Sequence, residues 1–143
     1  MVVNGAHPGP TFVVTGGTYP TEFCGVEAAG RLFQSVPAAN LTGKLVVVPV
    51  ANMPVLQFRS PMFALTYSVS PFDGKMLASV FPGDPAGSPT EVLAHVLFER
   101  FIANADFHGA CATLPCHAAL LLLRKVHCTP DHCTVLVTLA TTP

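Results

Sequence analysis

Thr11-Phe12-Val13-Val14-Thr15-Gly16-Gly17, followed closely by a helical pattern from Thr21 to Val36, sets the fold class. The first stretch is short, β-branched and aromatic, and Pro8-Gly9-Pro10 and Gly16-Gly17 bound it. That combination predicts a buried strand. The second places Phe23, Val26, Ala29, Leu32 and Phe33 at helical spacing and stops at Pro37. Lys44 then heads Leu45-Val46-Val47-Val48-Pro49-Val50, a continuous apolar run of the kind found in strands buried on both faces. Strand, helix, strand predicts a parallel pair with the helix as crossover, and therefore an α/β domain.

Working outward, periodicity fades from Ala51 to Gly87, where Pro54, Pro61, Pro71, Pro82 and Pro85 recur, so a long loop is expected. Ser88-Pro89-Thr90-Glu91 predicts a helix start, with a capping box and proline at the first helical position. Val92, Leu93, Val96, Leu97, Phe101 and Ile102 supply its apolar face. Glu91, His95 and Glu99 fall on the other face and read as a solvated surface. After Ala105 a short strand is expected to end at Asp106-Phe107-His108-Gly109. The remainder, from Leu114 to Val126 and from Thr134 to Leu139, reads as extended.

The chain has 143 residues, half of them apolar and a tenth charged, which suffices for one domain with a sizeable core. Its net charge is −1, and seven Lys and Arg residues are scattered along it. Nucleic acid would gain little from counterion release on such a surface, so no nucleic-acid partner is expected. Runs such as Ala118 to Leu123 fall far short of the roughly 20 apolar residues of a membrane span. No membrane partner follows. The start, Met1-Val2-Val3-Asn4-Gly5, lacks the pattern of a secretory signal, and a cytoplasmic location is the default expectation.

Five cysteines are an odd count, read here as reduced thiols rather than a disulfide framework. His127-Cys128 and His132-Cys133 bring four potential metal ligands into seven residues. Their spacing matches neither a C-x-x-C knuckle nor a finger, and Thr129-Pro130-Asp131 reads as a turn between strands.

In doubly wound sheets the ligand crevice lies beyond the carboxyl ends of the strands. Tyr19, Glu22 and His108 are predicted to map there. A catalytic zinc takes three protein donors from nitrogen, oxygen or sulfur and keeps a fourth position for water. Glu22 and His108 suit that role. Tyr19 suits it poorly, because a phenol must give up its proton before it can serve as a ligand. Asp106, two residues before His108, is a candidate carboxylate for orienting the ligands or their neighbours. Taken singly, Glu22 also reads as an acidic residue in the first turn of a helix, and His108 as an ordinary strand histidine.

Several motifs, in order, resemble the succinylglutamate desuccinylase/aspartoacylase family of zinc-dependent deacylases. They are residues 4–10 (NGAHPGP), residues 15–28 (TGGTYPTEFCGVEA), residues 48–54 (VPVANMP), Asp73-Gly74-Lys75, residues 80–85 (VFPGDP), Asp106-Phe107-His108-Gly109 and residues 114–118 (LPCHA). The likeness covers about residues 2–121, and a colinear series is more specific than any one motif. It implies a three-layer, zinc-carboxypeptidase-like α/β fold with a mainly parallel or mixed sheet and helices on both faces, incomplete in this chain. It divides the chain into a deacylase-like domain at 1–123 and a divergent extended tail at 124–143. It also implies hydrolysis of an amide or ester bond in an N-acyl amino acid or similar small molecule, with one zinc ion as cofactor.

Carried over residue by residue, the resemblance makes Glu22 and His108 zinc ligands. Tyr19 stands where the family has its first histidine, and Tyr19 or His117 becomes the candidate substitute ligand. The family segment D-G-K-N-L-N-R, whose Asn and Arg hold the substrate carboxylate, reads Asp73-Gly74-Lys75-Met76-Leu77-Ala78-Ser79 here. Arg59 remains as a candidate anion contact. The family's general-base glutamate follows the D-L-H motif, whereas no Glu follows Glu99 in this chain. The resemblance thus implies an impaired hydrolase that reads as part of a larger domain. The alternative is a non-catalytic relative: a pseudoenzyme, a binding module or a fragment without function.

Overall fold

The structure, a computed structural model, describes residues 1–19, 23–58, 69–114, 117–124, 128–129, 132–133 and 137–139, with side chains described through Cys111. The strands are β1 (Val2–Asn4), β2 (His7–Gly16), β3 (Thr42–Val48), β4 (Phe107–Leu114), β5 (His117–Arg124), β6 (Cys128–Thr129), β7 (His132–Cys133) and β8 (Val137–Leu139). The helices are α1 (Phe23–Ser35), α2 (Met53–Gln57) and α3 (Pro89–Leu97). Among the described residues, six strands form one mixed sheet in the order β1-β3-β2-β4-β5-β8, and β6 and β7 form a separate hairpin.

The predicted unit is present: β2 and β3 run parallel, with Phe12 opposite Leu45 and Val14 opposite Val47, and α1 connects them. β4 joins the other side of β2, also parallel, while β1, β5 and β8 add antiparallel neighbours. Consecutive strand residues face opposite sides of the sheet, so the run Val46-Val47-Val48 serves two cores. On one face Val14, Leu45, Val47 and Cys111 pack against Ala28, Ala29, Leu32 and Phe33 of α1. On the other, Val48 packs with Ala51 and Leu77 against Ala94 and Leu97 of α3. The sheet therefore lies between helices on both faces, which is the expected three-layer arrangement.

Val13, Val14 and Val47 are at most 1% exposed, and burial of each such side chain contributes about 1.5–3 kcal/mol. The exposed Arg31–Glu27 pair on α1, at 2.8 Å, contributes only a few tenths of a kcal/mol by comparison. Packing against the sheet, not surface charge, holds α1 in place.

Two expectations are corrected. Asp106-Phe107-His108-Gly109 does not end a strand, because β4 begins at Phe107 and runs on to Leu114. Asp106 fixes that start: its N–H donates to the Thr11 carbonyl at 3.0 Å, and its carboxylate accepts the Thr11 N–H at 2.8 Å. The described parts of the stretch from Ala51 to Gly87, residues 51–58 and 69–87, are also more ordered than their prolines suggest. Pro54 sits in the first turn of α2, where a missing N–H costs nothing. Ser70 and Lys75 join through a 2.8 Å backbone bond beside a Val69–Met76 bridge, and a 3-10 turn follows at Leu77–Ser79.

Ser88 and Glu91 form the predicted capping box at the start of α3. The Ser88 N–H and hydroxyl both donate to Glu91 Oε2, at 2.8 and 2.9 Å. The helix continues past Leu97 into one π turn, Phe98–Ile102, where the Ala103 N–H donates to the Phe98 carbonyl at 2.8 Å.

Candidate metal centre and substrate loop

The carboxyl ends of β2 and β3 are tied together by backbone. The Ala51 N–H donates to the Gly16 carbonyl at 2.8 Å, and the Asn52 N–H donates to the Gly17 carbonyl at 3.1 Å. Asn52 is 2% exposed, and its amide donates to the Thr18 carbonyl at 3.4 Å. A Cβ on Gly16 would lie 2.8 Å from the Pro49 carbonyl oxygen and 2.9 Å from both Ala29 Cβ and the Gly25 carbonyl oxygen. Only a glycine lets α1 approach the strand end this closely, and the approach brings the start of the helix to the same edge. Tyr19 lies half-buried in the loop between them.

His108 is the second residue of β4 and lies opposite Val13 in the parallel ladder. It shares a face with Thr15, two positions further along β2, and the Thr15 hydroxyl lies 3.1 Å from His108 Nε2. Burial pushes the imidazole down to a pKa of about 4, because the charged form loses water without gaining a carboxylate partner. The ring is therefore neutral at pH 7, the form that a metal accepts as a ligand. In the tautomer whose Nε2–H donates to Thr15, the lone pair lies on Nδ1. A metal-binding histidine is commonly held in this way through its other nitrogen.

Asp106 is exposed and spends its carboxylate on Thr11 rather than on His108. It orients the strand that carries His108. Glu22 and Arg59 lie outside the described residues. His117 opens β5 opposite Leu114, whereas His108 lies opposite Leu123. Six ladder rows separate them, roughly 20 Å at 3.3–3.4 Å per row. Two imidazoles cannot reach one ion across that span, so the fold does not bring His117 to His108.

The Asp73-Gly74-Lys75 loop is docked on the start of α3. Asp73 accepts the Thr90 N–H at 2.8 Å and the Thr90 hydroxyl at 2.7 Å. Burial alone would raise the Asp73 carboxyl, but the hydrogen bonds from Thr90, Ser88 and Lys75 outweigh it and hold the group well below the usual carboxylate range. Lys75 Nζ lies 2.7 Å from Glu91 Oε1. The Lys75 side chain, helped by Ser88, holds Glu91 below its ordinary value. Glu91 is thus half-buried and paired, not a freely solvated member of the helix face. Ala78 and Ser79 stand exposed at the end of this loop.

Thr15, Asn52 and Thr90 were not singled out as functional residues in the sequence. Thr15 and Thr90 read there as a strand former and a helix-start residue. Asn52 stood in a motif without a role, although a buried amide beyond a strand end must find partners.

Zinc in a catalytic site takes three protein donors. The described residues contain no group of three His, Cys, Asp or Glu placed to share an ion. They offer the neutral His108 imidazole and the Tyr19 phenol, and by themselves do not fit the metal. Among the described residues, no helix is long and apolar enough to cross a membrane.

Residues 8–117 match the succinylglutamate desuccinylase/aspartoacylase catalytic domain. An N-alpha-acetyl-L-2,4-diaminobutyric acid deacetylase from Halomonas elongata is 36% identical over 110 residues, which is 74% of this chain and 30% of the relative. The crystal structure of a succinylglutamate desuccinylase/aspartoacylase from Rhodobacter sphaeroides superposes with a TM-score of 0.66 at 31% identity, over 78% of this chain and 32% of the other. The product-bound ectoine utilization protein EutE (DoeB) from Ruegeria pomeroyi gives 0.63 at 29% identity, over 76% and 31%. The chain spans about a third of the length of these relatives. With the motif series, the mixed sheet and the matched residues in agreement, the chain belongs to the succinylglutamate desuccinylase/aspartoacylase family.

Proposed function

We propose that this chain is a deacylase-type hydrolase unit, directed at an amide or ester bond of an N-acyl amino acid or similar small molecule, whose zinc centre is impaired. In this reading Glu22 and His108 are the inherited ligands, Tyr19 replaces the first histidine, and residues 1–123 carry the inherited architecture while 124–143 form a divergent tail. The observation that carries it is His108: a neutral imidazole, steadied at Nε2 by Thr15 and mounted on a strand pinned by Asp106. Glu22 and His108 would hold a zinc ion, which would supply Lewis-acid activation of a substrate carbonyl and of water. Thr15 orients the imidazole, Asn52 fixes the loop that carries Tyr19, and Asp73 fixes the substrate loop.

Exposed Ala78 and Ser79, standing where the resemblance implies a carboxylate clamp, favour a second reading as a non-catalytic relative. Hydrolysis of a panel of N-acetyl and N-succinyl amino acids, with zinc added, separates the two. The hydrolase reading predicts slow turnover that rises in Tyr19→His and disappears in Glu22→Ala and His108→Ala. Turnover absent from both the unaltered chain and a zinc-loaded Tyr19→His variant would establish the non-catalytic reading.

A further inference from the structure

We propose that Cys128 and Cys133 form a redox-active dithiol that closes to an intrachain disulfide across the β6–β7 hairpin, independently of any hydrolase activity. β6 and β7 pair antiparallel, with Cys128 opposite Cys133 and Thr129 opposite His132. Directly opposed positions share a face of the hairpin. Their Cα atoms lie about 4.5 or 5.5 Å apart according to the ladder row, and both values fall within the roughly 4.4–6.8 Å that a disulfide spans.

The oxidant is a small disulfide such as glutathione disulfide. One cysteine thiolate attacks a sulfur of the oxidant, giving a mixed disulfide and releasing one glutathione thiolate. The second cysteine thiolate attacks the protein-side sulfur, forming the Cys128–Cys133 bond and releasing the second glutathione. The two thiol protons pass to the released thiolates, and the oxidant takes both electrons.

The test uses the full chain equilibrated in glutathione buffers of graded ratio, quenched with acid, alkylated, cut with trypsin and weighed. Lys125 is the last basic residue, so residues 126–143 leave as one peptide containing these two cysteines and no others. The expected product is that peptide, lighter by two hydrogens and unalkylated, with closure favoured at least about tenfold more in buffer than in urea, because the hairpin raises the effective thiol concentration. Cys128→Ser is expected to stop at a glutathione adduct on Cys133. Equal closure in buffer and urea, separate adducts on both cysteines, or disulfides to Cys24, Cys111 or Cys116 would each overturn the proposal.

Discussion

The Thr15 hydroxyl on β2 and His108 Nε2 on β4 lie 3.1 Å apart, two positions beyond the register partner of His108, Val13. Parallel pairing makes this contact possible, because residues two apart on one strand share the face occupied by the opposed residue on the next. Thr15 is 5% exposed, so its hydroxyl has little water to fall back on. Thr15→Val keeps the shape and removes the partner. It is expected to cost about 1–3 kcal/mol in urea unfolding, the range for a buried polar group left unsatisfied. In a Tyr19→His background it is also expected to weaken zinc binding by roughly 10–100-fold, as loss of an orienting partner does in other centres. Unchanged stability would show that His108 finds another partner.

Stability is expected to fall as pH drops from about 6.5 towards 4. His108 is held at about 4 in the folded chain against an ordinary value of 6.5. The unfolded chain therefore binds the extra proton first, and the contribution is fully present above 6.5 and lost through this window. Its size is at most about 3.5 kcal/mol. Chemical unfolding at a series of pH values checks it, and His108→Gln should flatten the curve between 6.5 and 4.

Asp73→Ala is expected to cost about 1–2 kcal/mol, because Asp73 caps α3 from outside the helix through the Thr90 N–H and hydroxyl. Limited proteolysis should then cut more readily near residues 71–79, since the tie between this loop and the helix is gone. An unchanged cleavage pattern would mean that Lys75 and Glu91 hold the loop without it.

Gly83→Ala is expected to prevent folding or to cost more than about 2 kcal/mol. Gly83 has φ of +89°, where a side chain is strained. A Cβ there would also run into the backbone nitrogen of His95 and the carbonyl oxygen of Glu91 in α3. Far-UV circular dichroism and a melting curve decide this, and a well-folded variant of ordinary melting temperature would refute the packing.

The β2-α1-β3 unit and the start of α3 were legible in the sequence because local signals there agree with the fold. An apolar run, a helical period and a capping box each describe the neighbourhood in which the residue sits. The start of β4 was misplaced because Asp106 acts through Thr11, 95 residues earlier in the chain, and no local pattern records such a partner. The prolines from 51 to 87 hid α2 because proline at a helix start and proline in a loop look alike in sequence. The colinear motifs marked the candidate positions, but the sequence placed His108 beyond the carboxyl end of a strand, whereas it is the second residue of β4, and the hydrogen bonds around it left no trace in the motifs. Thr15 beside His108 and Asp73 beneath Thr90 are products of register and docking.

Zinc bound per chain, measured by elemental analysis after dialysis against a weak chelator, tests the central claim most directly when the unaltered chain and Tyr19→His are compared. An impaired centre that lacks only its first histidine predicts well under one zinc in the unaltered chain and close to one in Tyr19→His, lost again when Glu22→Ala or His108→Ala is added. One tightly held zinc already present in the unaltered chain, or no gain in Tyr19→His, would contradict it.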